Sequence, residues 1–558
     1  MVIRLWKLAL LVVSLLAFAP LMFSSAANVY ITPNGANQGV CTSNPQAPSW
    51  FNNAANWGSG TSQIGPGTTV HLCGVFSGGA NASILTFQGS GTSGNPITLK
   101  FETGSGLSAP YCSAAAGGAG CITMSNLNTP RSYIVVDGGT PCGWDTATNA
   151  SEGTCNGYIV NTQNGTGLSY NKFTTGIEME ACSNCEIKNM LVYNLYQNIP
   201  GDSTANVQQI NCVYWSGSNN SIHDSTFHDA GWCLGNSWLN GDTNNSVYNN
   251  NIYAVAHGMF NSAGGPLNAS DFYVYGNYFH DYQVWNNGGF HTDGIHTFGN
   301  LGNGLYPLLT GYYVYNNIFG GDSGNSLSSQ IYLSGNTNAT GTDGAVHDAW
   351  VFNNVFEVSQ ATDNGIMNFA AGSGHLFYNN TVINSNATIG GACLMWGNIS
   401  QARYTFIFKN DAFQGCAELI ISNANEVDTG ITADYNAYAT CSGGNCWAAF
   451  YAGGTGNWTQ YLTNPYGQDQ QSVASLPINS GSLGLNSSYQ PTTGSIVIGA
   501  GTNLSSLCKV NGGQLPNQLC SDITGTPRSA TGAWDAGAYH LSNNNPPTPP
   551  TGLTAIVN

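Results

Sequence analysis

The chain has 558 residues, 7% of them charged, and its ten Lys and Arg against 27 Asp and Glu leave a formal charge of −17. So few cations exclude a basic surface for nucleic acid or an anionic membrane. Ser, Thr, Asn and Gly do most of the polar work, and any concentration of His with Asp stands out from that background.

Arg4 and Lys7 precede an apolar run from Leu8 to Phe23, and small residues from Ser24 to Ala27 offer a cleavage site, so residues 1–27 read as an export signal. The run is shorter than the ~20 residues of a membrane span. No later segment is apolar enough to cross, so the expectation is a secreted or cell-surface protein. Sixteen cysteines fit that compartment. Cys112 with Cys121, Cys142 with Cys155, Cys182 with Cys185, Cys441 with Cys446, and Cys508 with Cys520 are spaced to close small loops as disulfides. Cys182-Ser-Asn-Cys185 lacks the second Cys-x-x-Cys or His pair of a zinc site. Residues 28–160 read as a disulfide-rich opening with a first strand and decorated coils.

Residues 161–440 carry an internal repeat, an apolar Asn-rich unit beginning at Ile187, Ile222, Val247, Val274, Val314, Val351, Phe377 and Phe408. The starts are 35, 25, 27, 40, 37, 26 and 31 residues apart, a basal period near 25 with insertions. Such a period suits one coil of a parallel β-solenoid with about three short strands, and stacking coils about 4.8 Å apart buries a continuous core of Val, Ile, Leu and Phe. Each unit is read as a strand, because apolar and polar positions alternate. The second Asn of the pair recurs at Asn250, Asn277, Asn317, Asn354 and Asn380, so the amides can stack as a hydrogen-bonded ladder, with Asn accepting the left-handed geometry of a turn.

Six of the ten histidines lie between His223 and His296, in the pairs His223-Asp224, His228-Asp229 and His280-Asp281, at His257, and in the run His291-Thr-Asp293-Gly-Ile-His296. His223 and Asp224 fall within a strand unit and read as structural. Asp229 and Asp281 share one offset from their repeat starts and Asp322 falls one residue later. On adjacent coils Asp281 and Asp322 stand about 5 Å apart, and Asp229 and Asp281, two coils apart, about 10 Å. Those values bracket the carboxylate separations of glycoside hydrolysis, about 5 Å for retention and about 6.5–9.5 Å for inversion. Aligning Gly258-Met-Phe-Asn261 with Gly294-Ile-His-Thr297 and Gln330-Ile-Tyr-Leu333 makes His257 a neighbour of Asp293 and sets His296 between Phe260 and Tyr332. A His beside an Asp orients the carboxyl group or sets its protonation. His228, His280, Asp322 and Tyr332 are candidate substrate contacts, and Trp232, Trp285 and Tyr306, read as loop residues, are candidate sugar platforms. His with Asp also suits Zn²⁺ or Mn²⁺, and aspartates with backbone carbonyls suit Ca²⁺, so a divalent metal is an open alternative with its ligands unassigned.

Residues 441–541 read as an irregular C-terminal cover for the last open edge. Residues 542–558 form a Pro-rich linker and a short segment, Thr551-Gly-Leu-Thr-Ala-Ile-Val557, that resembles the first strand of a fibronectin type III domain.

The repeat, together with the opening Tyr30-Ile-Thr-Pro-Asn-Gly35 and Pro66-Gly-Thr-Thr-Val-His-Leu72, the late Asp434-Tyr-Asn-Ala-Tyr438, and the closing Gly525-Thr-Pro-Arg528 and Asp535-Ala-Gly-Ala-Tyr539, resembles the right-handed parallel β-helix superfamily of pectate lyases, polygalacturonases, alginate lyases and mannuronan epimerases. The resemblance implies an all-β, right-handed parallel β-helix and a secreted carbohydrate-active protein; fold alone does not give the reaction. Thr292-Asp293-Gly294-Ile295 is similar to the Asn-Thr-Asp-Gly element of polygalacturonase-type hydrolases, which implies an acidic catalytic role for Asp293. His291 replaces the Asn, no adjacent Asp pair follows, and the basic signatures of the lyases and the Asp-Pro-His of the epimerases are missing.

The expected function is glycoside hydrolysis of an extracellular polysaccharide by a monomer. Asp293 would be general acid, Asp281 or Asp229 base or nucleophile, and His257, His291 and His296 would orient substrate or tune protonation. One alternative is a polysaccharide lyase or uronate epimerase with a His or Tyr base and a metal in place of Arg or Lys. The other is a non-catalytic glycan-binding or adhesin-like solenoid.

Overall fold

The computed structural model describes residues 27–541 except 114–117, 164–172, 196–209, 284–290, 299–306, 325–326, 334–345, 360–365, 370–372, 386–391, 397–404, 417, 423–430, 440–448, 451–467 and 475–480. The export signal, Trp285, Tyr306, Cys441 with Cys446, and the tail after 541 lie outside the described residues. No helix among the described residues is long and apolar enough to cross a membrane.

The chain is a parallel β-helix with three faces. Among the described residues face one holds thirteen strands in sequence order, from Asn28–Ile31 and Thr69–Leu72 through Ser221–His223, Thr243–Tyr248, Ala269–Tyr275 and Leu309–Tyr315 to Ile431–Asp434. Face two runs from Val75–Ser77 through Met190–Tyr193, Tyr278–His280 and Ile318–Gly320 to Val473–Ala474. Face three runs from Leu85–Thr86 through Ile210–Trp215, Thr292–Phe298 and Leu327–Leu333 to Ala449–Phe450. Two long strands, Thr226–Asn240 and Asn251–Leu267, continue from face two into face three and join both ladders.

Within the coil each face contributes one continuous buried row. Val247, Val274 and Val314 stack on face one, Ile252, Phe279 and Phe319 on face two, and Met259, Ile295 and Ile331 on face three, all fully buried. The rows stack because parallel pairing in register places identical offsets above one another. Phe279, Phe319 and Phe356 lie with ring centroids 5.0 and 4.8 Å apart.

The Asn-rich unit is two half-strands around a turn, and not one strand. Tyr248 ends face one, Asn251 begins face two, and Asn249 between them has φ +53°. The left-handed residue is the first of each pair (Asn249, Gly276, Asn316, Asn353, Asn379, Asn410), where Asn or Gly carries little steric cost. The second is the ladder residue: Asn277 accepts from the Asn250 N–H at 3.0 Å, Asn317 from Asn277 at 3.0 Å, Asn354 from Asn317 at 2.9 Å and Asn380 from Asn354 at 3.0 Å. Asp411 and Asn436 extend the stack.

Seven disulfides stand among the described residues. Cys112–Cys121, Cys142–Cys155, Cys182–Cys185 and Cys508–Cys520 are the local pairs read from spacing. Cys41–Cys73, Cys212–Cys233 and Cys393–Cys416 staple segments that only the coil brings together.

Residues 481–541 fold back along the flank. Leu504, Leu515, Leu519 and Trp534 cover the outer rings of Tyr315, Phe352 and Tyr378. Buried Arg528 donates to the carbonyls of Asp535, Gly537 and Ala538 and to Oδ1 of Asn353. The closing motif Gly525–Arg528 thereby latches the tail to a turn of the helix.

Candidate functional site

The predicted register on face three is the observed one. His257 pairs with Asp293, Phe260 with His296 and His296 with Tyr332. Stacking alone brings His257 onto Asp293, and on the other side the register shifts between Thr292 and Asp293 so that Asp293 pairs with Ser329. His291 precedes that strand and His296 lies three residues beyond Asp293, so three imidazoles from two coils meet one carboxylate.

Oδ2 of Asp293 lies 2.9 Å from Nδ1 of His291, 3.0 Å from Nδ1 of His296 and 3.2 Å from Nε2 of His257. His296 Nδ1 and His257 Nε2 are 3.3 Å apart. Oδ1 of Asp293 accepts the backbone N–H of Ser329 at 3.0 Å from the next coil, which fixes the carboxylate. Asp293 and His257 have no exposed side-chain surface, His296 has 9% and His291 37%, so the cluster opens to solvent on the His291 side. Gly294 has no room for a side chain, since a Cβ there would meet the carbonyl oxygen of Gln330 at 2.5 Å.

Burial by itself would push the Asp293 carboxyl up, but the imidazoles of His257, His291 and His296 outweigh it and hold the group well below the usual carboxylate range. Burial draws His257 down to about 4 against the opposing pull of Asp293. Burial first, and then the Asp293 charge, keep the Tyr332 phenol protonated above its ordinary range. Tyr332 packs against His296 with ring centroids 4.7 Å apart. Trp232, Phe260 and Phe298 form an aromatic group beside the cluster, with Trp232 4.4 Å from the His257 ring. Trp232 pairs in the strand Thr226–Asn240, so it is a strand residue and not a loop residue.

The other His-Asp pairs stand elsewhere in the coil. His228-Asp229 and His280-Asp281 occupy the turn after face two, with Asp229 at φ +52° and Asp281 at φ +51°. Each Asp closes on its own neighbour, His228 at 2.6 Å and His280 at 2.7 Å. Oδ1 of Asp281 also accepts the N–H of Asp322 at 2.7 Å, which confirms these two as neighbours on adjacent coils and commits that oxygen to the turn. The rings of Tyr193, His228, Tyr253 and His280 stack along face two at 4.6–5.2 Å. His223 bridges Asp224 and Glu186 at the turn after face one.

Ser329 went unread in the sequence because its part is played by a backbone N–H. Glu178 went unread as well: it is fully buried on face three, and burial first, then the Glu180 charge, raise its carboxyl well above the usual range. Its only sequence signal is the alternation in Gly176-Ile-Glu-Met-Glu180.

Four residues, His257, His291, Asp293 and His296, each offer one ligand atom, and these atoms all lie within 4.8 Å of one another. Such a group can hold a cation or, without one, a buried carboxylate ringed by imidazoles.

No family model matches the chain, and no curated protein matches it. Among solved structures it is similar to the crystal structure of pectate lyase Pel9A, at 14% identity over 93% of this chain and 97% of that one, with a TM-score of 0.39. It is also similar to the PL6 family alginate lyase AlyGC, at 11% identity, 74% of this chain and 43% of that one, TM-score 0.37. A third is the GH136 lacto-N-biosidase from Eubacterium ramulus, at 13% identity, 75% of this chain and 66% of that one, TM-score 0.36. Likeness at this level says nothing of the chemistry.

Proposed function

We propose that the chain is a secreted enzyme that cleaves an extracellular polysaccharide, with His257, His291, Asp293 and His296 as its catalytic centre. The observation that carries the reading is the convergence of three imidazoles on one buried carboxylate, open to solvent at His291 and flanked by aromatic rings. Aromatic faces stack on sugar rings and exclude water.

Asp293 has the wrong charge state for a general acid, because a proton-donating carboxyl needs a raised pKa and this one is lowered. Asp281 is lowered too: its burial is outweighed by the Asp322 N–H and His280. Tyr332, held protonated beside His296, is the better proton donor to a leaving glycosidic oxygen. With the solvent-facing His291 imidazole taking the C5 proton of a uronate as Tyr332 gives its own to the leaving oxygen, that division of labour favours elimination over two-carboxylate hydrolysis. No Lys or Arg occurs between Lys188 and Arg403, so the coils of the cluster offer no side-chain cation to neutralise a uronate carboxylate. A divalent cation at the cluster would supply that charge.

The test is to incubate the mature chain with neutral and uronic-acid polysaccharides, following reducing ends and unsaturated-product absorbance together, with and without chelator. Elimination gives absorbance that Asp293→Ala abolishes and Tyr332→Phe lowers on the order of 10²-fold. Reducing ends without absorbance return the assignment to hydrolysis. Turnover that survives Asp293→Ala unchanged removes the cluster from the reaction.

A further inference from the structure

We infer that His257, His291, Asp293 and His296 form a binding site for one divalent transition-metal ion of the zinc type, and that the site discriminates against Ca²⁺. The inference goes beyond the polysaccharide reading and does not depend on it, because metal binding is measured without substrate.

Distance is the first ground. Four ligands about 2.0–2.2 Å from a tetrahedral zinc lie roughly 3.3–3.6 Å from one another. Four of the six ligand pairs stand at 2.9, 3.0, 3.2 and 3.3 Å, a few tenths of an ångström from those edges, and the other two, from His291 to the other imidazoles, lie within 4.8 Å, so closing the polyhedron asks mainly for movement of the partly exposed His291 ring. Convergence is the second. Oδ2 of Asp293 has no exposed surface and faces three ring nitrogens within 3.2 Å, two of which are 3.3 Å from each other. A neutral imidazole has one N–H to give and one lone pair, and each carboxylate oxygen only lone pairs. A cation at the common centre satisfies the oxygen and the nitrogens together.

The donor set chooses the ion. Ca²⁺ takes six to eight oxygen ligands, and this group offers three imidazoles and one carboxylate. Imidazole nitrogen suits zinc, copper and nickel. The surroundings fit as well: Ser329 holds Oδ1 of Asp293, so the ligating oxygen is aimed from behind. His291 is the only one of the four with more than a tenth of its side chain exposed, and it marks the path of entry.

The experiment takes the full chain, stripped by chelator and dialysed, and titrates it with ZnCl₂ by calorimetry, with CoCl₂ by visible absorption and with CaCl₂ as comparison. The expected result is about one Zn²⁺ per chain, a four-coordinate Co²⁺ spectrum, and weaker binding of Ca²⁺. His291→Ala and His296→Ala should each weaken Zn²⁺ binding at least about tenfold. His71→Ala, in the first coil, should bind as the parent does. His291 is exposed enough that its variant folds even if the His296 variant does not. Failure of the parent chain to take up stoichiometric Zn²⁺ or Co²⁺, equal Zn²⁺ affinity in His291→Ala, or tighter binding of Ca²⁺ than of Zn²⁺ would each overturn the assignment. Zn²⁺ binding with a silent polysaccharide panel would leave the metal site standing and sink the enzymatic reading.

Discussion

Contacts between His and a carboxylate are put to three uses in this chain. At Asp293 the carboxylate is wholly buried and shared among three imidazoles. At Asp281 and Asp229 the carboxylate closes a left-handed turn on the preceding His. At Glu186 a third arrangement sets a pH dependence. His223, at 2.9 Å, and then Lys188 hold Glu186 down at about 2 against the upward push of burial. Burial would lower His223, but Asp224 and Glu186 outweigh it and raise it. A carboxyl whose folded pKa is depressed contributes stability above its unfolded value, lost as pH falls through the folded one. A raised His contributes below its unfolded value and loses the contribution as pH rises through the folded one. The bridge therefore stabilises most between the ordinary carboxyl and imidazole values of 4.5 and 6.5. Denaturant midpoints measured from pH 6 down to pH 2 should fall more steeply in the parent than in Glu186→Gln, with most of the difference developing below about pH 4.5. Parallel curves would show that the bridge contributes nothing.

Among the elements, the turn between faces one and two makes the sharpest contrast, because adjacent asparagines carry different loads. Asn316 supplies φ +55°, and Asn317 supplies an amide that accepts from Asn277 and donates to Val274, Tyr315 and Asn354. Replacing Asn316 by Gly should change stability by less than about 0.5 kcal/mol, since Gly adopts the same backbone freely. Asn317→Ala should cost about 2–4 kcal/mol, because it strands buried groups on both neighbouring coils. Urea titration of the two variants checks the pair, and equal losses would refute the division. The ladder was legible in the sequence as a recurring second Asn. The left-handed geometry was read onto that second Asn and the unit onto one strand, because six residues of alternating polarity have the pattern of a strand until the first Asn is known to be the left-handed one.

On the scale of the molecule, the solenoid needs its outer aromatic stacks covered as well as its core filled. Residues 481–541 do this along the flank, and Arg528 is the clasp. Burial lowers its guanidinium to about 10, with Asp522 and Asp535 opposing, so it remains charged at neutral pH. Arg528→Met should free the tail: limited proteolysis is expected to cut within 481–541 while circular dichroism keeps the β signal of the coils. Resistance equal to the parent's would show that the apolar contacts of Leu504, Leu515 and Trp534 suffice.

The sequence by itself determined the coil, its basal period, its continuous apolar core and the register that lays His257 on Asp293. It could do so because in-register parallel stacking is a one-dimensional rule, readable from offsets within a repeat. Tertiary structure decided which His-Asp pair gathers further imidazoles. His228-Asp229, His280-Asp281 and His291-x-Asp293 are alike as strings. Only in space do the first two turn inward on themselves at a left-handed bend while the third meets a histidine from the coil before it. That convergence, and the imidazoles that outweigh burial and keep Asp293 charged, belong to two chain segments at once and are written in neither.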